Sequence, residues 1–400
     1  MSELNVYYHG MKGDSLLVGQ LASFKNKVYF EYDTKFLTSG LNLSPFLLPL
    51  KPGAQTPQPN NPWGGLFGVF NDSLPDGWGL LLMDRHLQSL GVDMQYLSPL
   101  DRLAYIGSRG MGALSYKPSK SMGKDGFHID LSELASSALD IYEGSVSECL
   151  AELSQAGGSP GGARPKVLIH SDGEHLISGD GKVPEGYKAW VVKFFSRDEP
   201  PDTGRIEYAY SLMAKDAGIT MPETRLFEDS QGNAWFAIRR FDREGGKCVH
   251  MHTLGGLVDA DFRIPSLDYT EVLKVTQALT RNVGDVEQAF AVMVFNVLAK
   301  NRDDHSKNFS FLMDDKGKWC LSPAYDLTYS RGMNGEHTTS VAGEGRNPKI
   351  SDMLKVGKAV GLKATVMENM IDNVRESIER WDEWCDIAGI SKDKKQLGLT

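Results

Sequence analysis

The chain has 400 residues, of which 41% are hydrophobic and 24% are charged, and its formal net charge is −9. This length exceeds what one hydrophobic core organises, so we expect two or three subdomains. The acidic balance argues against a strong chain-wide affinity for nucleic acid, and no stretch approaches the ~18 apolar residues of a membrane span. The N-terminus shows no signal-peptide pattern, which predicts a cytoplasmic protein. Free thiols are expected at the four dispersed cysteines, Cys149, Cys248, Cys320 and Cys385.

The N-terminal part, residues 1–125, is predicted to be a β-rich subdomain. Short runs of Val, Leu, Tyr and Phe separated by turn residues favour a small antiparallel sheet. The segment Asp72–Gly77 is predicted to open a helix that runs to about Leu90. We interpret Asp101–Gly112 as a tightly packed turn, since glycines allow close approach of two backbones. The strands are predicted at 4–8, 15–22 and 27–32.

Residues 126–245 are predicted to contribute a nucleotide-binding portion. A helix over 130–156 precedes the glycine-rich loop Gly157–Lys166. Backbone amides of such a loop can hold phosphate oxygens, although many glycine-rich loops only turn the chain. The loop matches neither the Walker pattern nor the kinase G-x-G-x-x-G pattern. The remaining elements are predicted as strands at 167–170, 189–195, 224–228 and 234–241 and a helix at 205–217.

Lys193 ends an apolar strand of this portion. A lysine in such a strand usually extends its ammonium group to solvent. Here the sequence Trp190–Lys193 matches the Val-Ala-Ile-Lys pattern of protein kinases, whose lysine pairs the nucleotide phosphates with a carboxylate of the next helix. Glu207 is the candidate partner. The backbone of Arg239–Phe241 lies where a kinase hinge would contact adenine, and a charged strand end at the surface is the alternative.

The segment Asp303–Asn308 carries the most informative pattern. An apolar stripe predicts a buried helix over 285–299, which would present this segment as a loop on a rigid support. A hairpin then leads to Asp326. Asp303 can accept the proton of an attacking hydroxyl, while Asn308 and Asp326 can hold the magnesium ion that bridges nucleotide phosphates. A helix end followed by a solvated polar turn is the less specific alternative.

Asp303 and Asp304 are adjacent, and only one of them can be the base. The five-residue step from Asp303 to Asn308 matches the kinase spacing, which favours Asp303. Lys307 is expected to neutralise the transferred phosphoryl group. We expect His305 to orient the loop through hydrogen bonds, and His305 as the base itself is the alternative.

With these residues in hand, the chain resembles the HipA family of bacterial serine/threonine kinases, the toxins of toxin–antitoxin pairs. The resemblance extends over nearly the whole chain. The segments that carry it are Leu43–Phe46, Leu74–Gly79 and Asp101–Gly107 in the N-terminal part, and Arg240–Arg243, Asp303–Phe309 and Pro323–Asp326 in the kinase part.

The resemblance implies an α+β, two-lobed protein-kinase-like fold with an extra N-terminal β-rich subdomain. Residues 126–245 would form the nucleotide-binding lobe portion and residues 246–400 a mostly helical catalytic lobe. It also implies that Ser159 is autophosphorylated. The implied ATP site comprises Pro160, Gly161, Gly162, Ala163, Arg164, Pro165, Lys193, Arg239, Arg240, Phe241, His305, Ser306, Lys307, Asn308, Tyr325 and Asp326, with ATP and Mg²⁺ as cofactors.

The resemblance further implies a small helix-turn-helix antitoxin of the HipB type, through which DNA would be contacted only indirectly. A protein substrate such as an aminoacyl-tRNA synthetase is expected, and no membrane contact. Two other functions stay open. One is a small-molecule phosphotransferase, against which the long N-terminal module counts, and the other is a non-catalytic, nucleotide-sensing subunit of a repressor complex.

Overall fold

The structure, a computed structural model, describes residues 2–391 with several gaps. The predicted residues Ser159 and Pro160 lie outside the described residues, as does Cys149. Cys248, Cys320 and Cys385 are free thiols. No helix in the described part of the chain has the length and apolar character needed to cross a membrane. The gaps are residues 11–12, 14, 26, 121–127, 144–152, 154–160, 180–181 and 197–198.

The N-terminal part contains a four-stranded antiparallel sheet in the order β3-β2-β1-β4. Leu4, Val6 and Tyr8 alternate with more exposed residues along β1 and bury one face of the sheet. The elements are β1 Ser2–His9, β2 Ser15–Phe24, β3 Lys27–Tyr32, α1 Thr34–Leu37, α2 Gly68–Asn71, α3 Gly77–Ser89, α4 Pro99–Ile106 and β4 Leu114–Lys117.

The prediction of a turn over Asp101–Gly112 is wrong in its first half, which is the helix α4. Ser98 and Asp101 form a capping box at its start, and Pro99 is its first residue. Both features favour helix initiation because they satisfy or remove amide hydrogens that lack a partner in the first turn. The turn begins only at Gly107, whose φ of 58° suits glycine.

The middle part is built on a five-stranded antiparallel sheet in the order β6-β5-β7-β9-β8. Side chains alternate between its two faces. One face, with Val167, Trp190 and Val192, packs against Trp78 of α3 and Leu134 of α5. The other face, which includes Val191 and Ile238, turns towards the C-terminal part. The elements are α5 Leu131–Tyr142, β5 Lys166–Ser171, β6 Leu176–Ser178, β7 Lys188–Lys193, α6 Thr203–Asp216, β8 Thr224–Glu228 and β9 Ala234–Arg239.

The prediction of one helix over 130–156 is too long. Helix α5 ends at Tyr142, and Glu143 is its C-cap residue. Leu153 is the one later helical position that the structure describes within the predicted range. The glycine at position 144 is a common helix-stop signal in sequences.

The C-terminal part is mostly helical. Helix α9 is buried around most of its circumference, with Phe290 and Phe295 fully buried, and it ends just before the loop that carries Asp303. The elements are β10 Arg243–Glu244, β11 Lys247–Cys248, β12 His250–Thr253, α7 Leu254–Val258, β13 Leu267–Asp268, α8 Tyr269–Thr280, α9 Val283–Leu298, β14 Ser310–Met313, β15 Trp319–Leu321, β16 Thr339–Ser340, α10 Ile350–Ala359, α11 Ala364–Glu379 and α12 Trp381–Ala388.

Candidate active site

A cleft opens between the five-stranded sheet and the C-terminal part. Val191 and Lys193 reach it together because they are two positions apart on β7, and Ile238 of β9 pairs with Val191. The structure brings most of the predicted site residues to this cleft. The predicted residues in its lining are Gly161, Gly162, Lys193, Arg239, Arg240, Phe241, His305, Lys307, Asn308, Tyr325 and Asp326.

Four predicted cofactor-binding residues are not in the lining of the cleft: Ala163, Arg164, Pro165 and Ser306. The side chain of Ser306 is buried and its hydroxyl donates to the carbonyl of Ala260 at 2.9 Å. A direct contact of this hydroxyl with nucleotide is therefore excluded in this conformation.

Lys193 joins the two sides of the cleft. Its Nζ lies 2.5 Å from Glu207 Oε1 of α6 and 2.5 Å from Asp326 Oδ1. Burial alone would lower the pKa of Lys193, but the carboxylates of Asp326 and Glu207 raise it. Lys193 therefore stays charged, and the predicted lysine–carboxylate pair is present in the geometry.

Arg164 stabilises the Lys193–Glu207 pair through a second ion pair with Glu207. Its Nη1 donates to Glu207 Oε2 at 2.7 Å, and its Nη2 donates to Glu199 at 2.8 Å. The Glu207 side chain is 1% exposed, so two cations compensate its buried charge. Arg164 does not line the cleft, and it acts through Glu207 on the cleft residue Lys193.

Asp303 is exposed, whereas its neighbour Asp304 is fully buried. Asp304 accepts hydrogen bonds from the Tyr269 hydroxyl at 2.9 Å and from the Thr338 amide at 2.8 Å. A carboxylate held in this way is not free to accept a substrate proton. Of the two adjacent acids, only Asp303 is accessible for general-base chemistry.

Desolvation by surrounding protein raises the pKa of Asp303. The positive field of His305 opposes this rise, and the negative charges of Asp326 and Asp304 add to it. Asp303 does not itself line the cleft. It is connected to the lining through Asn308, a cleft residue whose Nδ2 donates to the Asp303 carbonyl at 2.7 Å.

The His305 ring makes none of the expected hydrogen bonds among the described residues, and its buried Nδ1 has no partner. The backbone carbonyl of His305 accepts from the Asn308 amide at 2.9 Å. The ring packs edge-on against Phe262, with centroids 5.6 Å apart. Asp304, not His305, orients the loop, because a carboxylate can accept several backbone and hydroxyl hydrogens at once.

Asp326 has a φ of 57°, a left-handed conformation that is uncommon for residues other than glycine. Burial opposes its ionisation, but Lys193 and Lys166 hold the pKa of Asp326 below its ordinary value. The preceding Tyr325 donates to the carbonyl of Lys307 at 2.6 Å, and its ring contacts Phe241. Asp326 is thus an ionised carboxylate in a fixed place beside the catalytic loop.

Two backbone amides of the predicted hinge, those of Arg239 and Arg240, already donate hydrogen bonds within the protein. The amide of Arg239 donates to the Glu223 carbonyl and that of Arg240 to the Ala189 carbonyl, each at 2.8 Å. These two amides cannot serve adenine without breaking strand-edge hydrogen bonds. The Arg240 side chain is buried and forms an ion pair with Asp242 at 2.7 Å. Its charge is therefore neutralised within the protein.

Lys166 is a cleft residue that the sequence reasoning missed. It pairs with Lys193 across β5 and β7, and its Nζ donates to the carbonyl of Gly161. Burial and then the nearby charge of Lys193 lower the pKa of Lys166 to about 8. A second buried cation next to Lys193 makes this end of the cleft suited to a polyanion.

Asp76 is a second missed residue, contributed by the N-terminal part. Its carboxylate accepts from Lys307 Nζ at 2.8 Å and from the amide of Gly162. Burial opposes its ionisation, but Lys307 holds the pKa of Asp76 below its ordinary value. The neighbouring Trp78 amide donates to the Gly162 carbonyl at 3.0 Å. The glycine-rich loop is therefore held by the start of α3.

The donor set of the cleft fits a metal–nucleotide complex. Lys166, Lys193 and Lys307 supply positive charge, while Asn308 and Asp326 supply an amide and a carboxylate of the type that binds Mg²⁺. No group of three or more His, Cys, Asp and Glu side chains in the described ranges could hold a metal by itself. Mg²⁺ is commonly bound by one or two carboxylates together with substrate phosphates.

Comparisons with known proteins identify the family and the fold. Residues 4–117 match the HipA N-terminal domain and residues 158–381 match the HipA-like C-terminal domain. The solved HipA of Shewanella oneidensis MR-1, in complex with HipB and operator DNA, has a TM-score of 0.70 and 17% sequence identity, covering 98% of this chain and 93% of that one. This likeness confirms the predicted α+β, two-lobed fold.

Two related proteins are described as candidate kinases. One, from Sinorhizobium fredii, is 28% identical over 209 residues, which cover 48% of this chain and 50% of that protein. The other, from Haemophilus influenzae, is 24% identical over 263 residues, covering 57% of this chain and 75% of that protein. The match thus extends over only half of the length of the Sinorhizobium protein.

Proposed function

The chain belongs to the HipA family, and from that premise we propose that it is a protein serine/threonine kinase that uses ATP and Mg²⁺. The observation that carries the proposal is the bridge from Glu207 through Lys193 to Asp326, beside the loop that presents Asp303. Protein kinases use a lysine paired with a glutamate together with an aspartate that binds Mg²⁺, and this bridge brings those three residue types together.

In this mechanism Asp303 accepts the proton of the substrate hydroxyl. The hydroxyl oxygen of the substrate attacks the γ-phosphorus of ATP, and ADP leaves. Lys193 orients the phosphates, and Lys307 neutralises charge on the transferred group. Asn308 and Asp326 would hold Mg²⁺, which when bound neutralises negative charge on the phosphates. The apolar side chains of Val191 and Ile238, with Phe241, would enclose the adenine.

A labelling experiment tests this proposal. Incubation with [γ-³²P]ATP, Mg²⁺ and cell-extract proteins should place label on serine or threonine, and a chelator should abolish it. Label on a small molecule with none on protein would instead favour a phosphotransferase. Binding of nucleotide without any transfer would favour a non-catalytic sensor.

The proposal includes a self-phosphorylation at Ser159. This residue lies outside the described ranges, but Gly161, two positions later, lines the cleft. A phosphate there would add a charge of about −1.5 to −2 and oppose binding of the triphosphate. Protein purified after incubation with ATP should carry phosphate at Ser159 and be less active, while Ser159→Ala should remain active. Mass spectrometry that finds the phosphate elsewhere, with Ser159 unmodified, would contradict this part.

We also propose partners from the family. The Shewanella HipA was solved with HipB and operator DNA, and a HipB-like helix-turn-helix antitoxin would restrain this chain in the cytoplasm. The net charge of −9 supports DNA contact only through that partner. As a toxin, the kinase would modify a protein of translation, such as an aminoacyl-tRNA synthetase.

A further inference from the structure

A chain of buried hydrogen bonds joins the two halves of the candidate site. The Nδ2 group of Asn301 donates to the carbonyl of Asp326 at 3.3 Å and to Asn296 Oδ1 at 2.9 Å. Asn296 donates to the hydroxyl oxygen of Tyr269 at 2.9 Å, and Tyr269 donates to the Asp304 carboxylate at 2.9 Å. The side chains that form this relay, Asn301, Asn296, Tyr269 and Asp304, belong to residues that are at most 2% exposed.

The three bonds between the four side chains of the relay all point towards Asp304, and the bond from Asn301 to the Asp326 carbonyl points the other way. Each group donates to the next, and the series ends on a carboxylate, so each bond polarises its neighbour in the strengthening sense. The far end is also anchored. Asp304 accepts from His337 Nδ1 at 2.8 Å and from the amides of Thr338 and Thr339 at 2.8 and 3.2 Å.

Each end of the relay is connected to a residue that the proposed reaction uses. Asp304 is covalently next to Asp303, and Asn301 holds the carbonyl of Asp326, whose left-handed backbone would otherwise relax. The members of the relay are absent from the lining of the main cleft. Asn296 and Asn301 instead line a small second cavity next to Asn308 and Asp326. Stability alone is a weak reason for four polar side chains here, since apolar residues fill such a space at lower desolvation cost.

We propose that the relay Asn301–Asn296–Tyr269–Asp304 is a positioning device that fixes the separation between the Asp303 loop and Asp326. The inference rests on the proposed kinase function. It makes Tyr269 and Asn301 positioning residues, neither of which touches nucleotide.

Tyr269→Phe tests the relay by removing one hydroxyl and keeping the ring that packs against Phe309. Its matched control is Tyr32→Phe, which removes another buried hydroxyl bond, to the Leu48 carbonyl at 3.1 Å, in the N-terminal sheet. Asn301→Ala cuts the relay at its other end. For all variants the phosphoryl-transfer rate, the Mn²⁺ affinity with a non-hydrolysable ATP analogue, the affinity for metal-free nucleotide, and Tm are measured.

At equal losses of Tm, we expect Tyr269→Phe to lower kcat and Mn²⁺ affinity at least ~10-fold more than Tyr32→Phe, with the affinity for metal-free nucleotide within about twofold of wild type. Combining Tyr269→Phe with Asn301→Ala should add little, because both break one unit. Losses that match the control, or that add in the double variant, would overturn the relay. A wild type that neither binds metal–nucleotide nor transfers phosphate would instead overturn the kinase proposal on which it rests.

Discussion

Asp303→Asn is expected to lower the phosphoryl-transfer rate by at least ~100-fold while leaving the affinity for ATP nearly unchanged. The amide keeps the size of the side chain but cannot accept the hydroxyl proton. Asp303 is exposed and outside the lining of the cleft, so its loss should not disturb the nucleotide contacts. Single-turnover transfer from labelled ATP and an independent nucleotide titration measure the two quantities.

The pH dependence provides the control for this prediction. The base must be ionised, and desolvation together with the charge of Asp326 raises the pKa of Asp303. Transfer should therefore fall with decreasing pH at a midpoint above the usual range of an aspartate, and this limb should disappear in the residual rate of Asp303→Asn. An unchanged rate in the variant would assign the base elsewhere, with His305 as the next residue to test.

Asp326→Asn is expected to weaken metal-dependent nucleotide binding and to lower the transfer rate by at least ~100-fold. The carboxylate both pairs with Lys193 at 2.5 Å and would bind Mg²⁺. A neutral amide does neither well, and Lys193 would be left with Glu207 alone. A Mg²⁺ titration of the transfer rate should show a strongly raised half-maximal concentration.

Asp261→Asn is the matched control for this second prediction. It removes a carboxylate that pairs with Arg263 at 3.2 Å, near the surface and outside the cleft. Its Mg²⁺ response should equal that of the wild type. The assignment of Asp326 would be wrong if Asp326→Asn kept the wild-type Mg²⁺ dependence at a comparable Tm.

Local patterns were sufficient for the features that depend on neighbours in sequence. The apolar stripe predicted helix α9 close to its observed bounds, and the spacing of Asp303 and Asn308 selected the accessible acid from the adjacent pair. The Ser98–Asp101 capping box was equally local, so the start of α4 could have been found. The start of α4 was missed because the glycines of Asp101–Gly112 were interpreted as evidence for a turn over the whole segment.

The residues that were missed depend on contacts between distant segments. Lys166 enters the cleft because β5 pairs with β7 and sets it opposite Lys193, and that register is not visible in either strand alone. Asp76 lies 231 positions from Lys307 in the sequence, with no local pattern that links them. The prediction that the His305 side chain orients the loop through hydrogen bonds was wrong for a related reason, because the residues around its ring, including Phe262, come from another segment.

The packing at the start of α3 makes the shape of the nucleotide loop depend on a distant segment of the chain. Gly77 has a φ of 44°, and a Cβ at this position would lie 2.5 Å from the carbonyl oxygen of Gly162. The two backbones therefore approach more closely than any larger residue at position 77 would allow. A substitution there would push the glycine-rich loop away from α3, so the capacity to hold a triphosphate depends on a residue that never touches it.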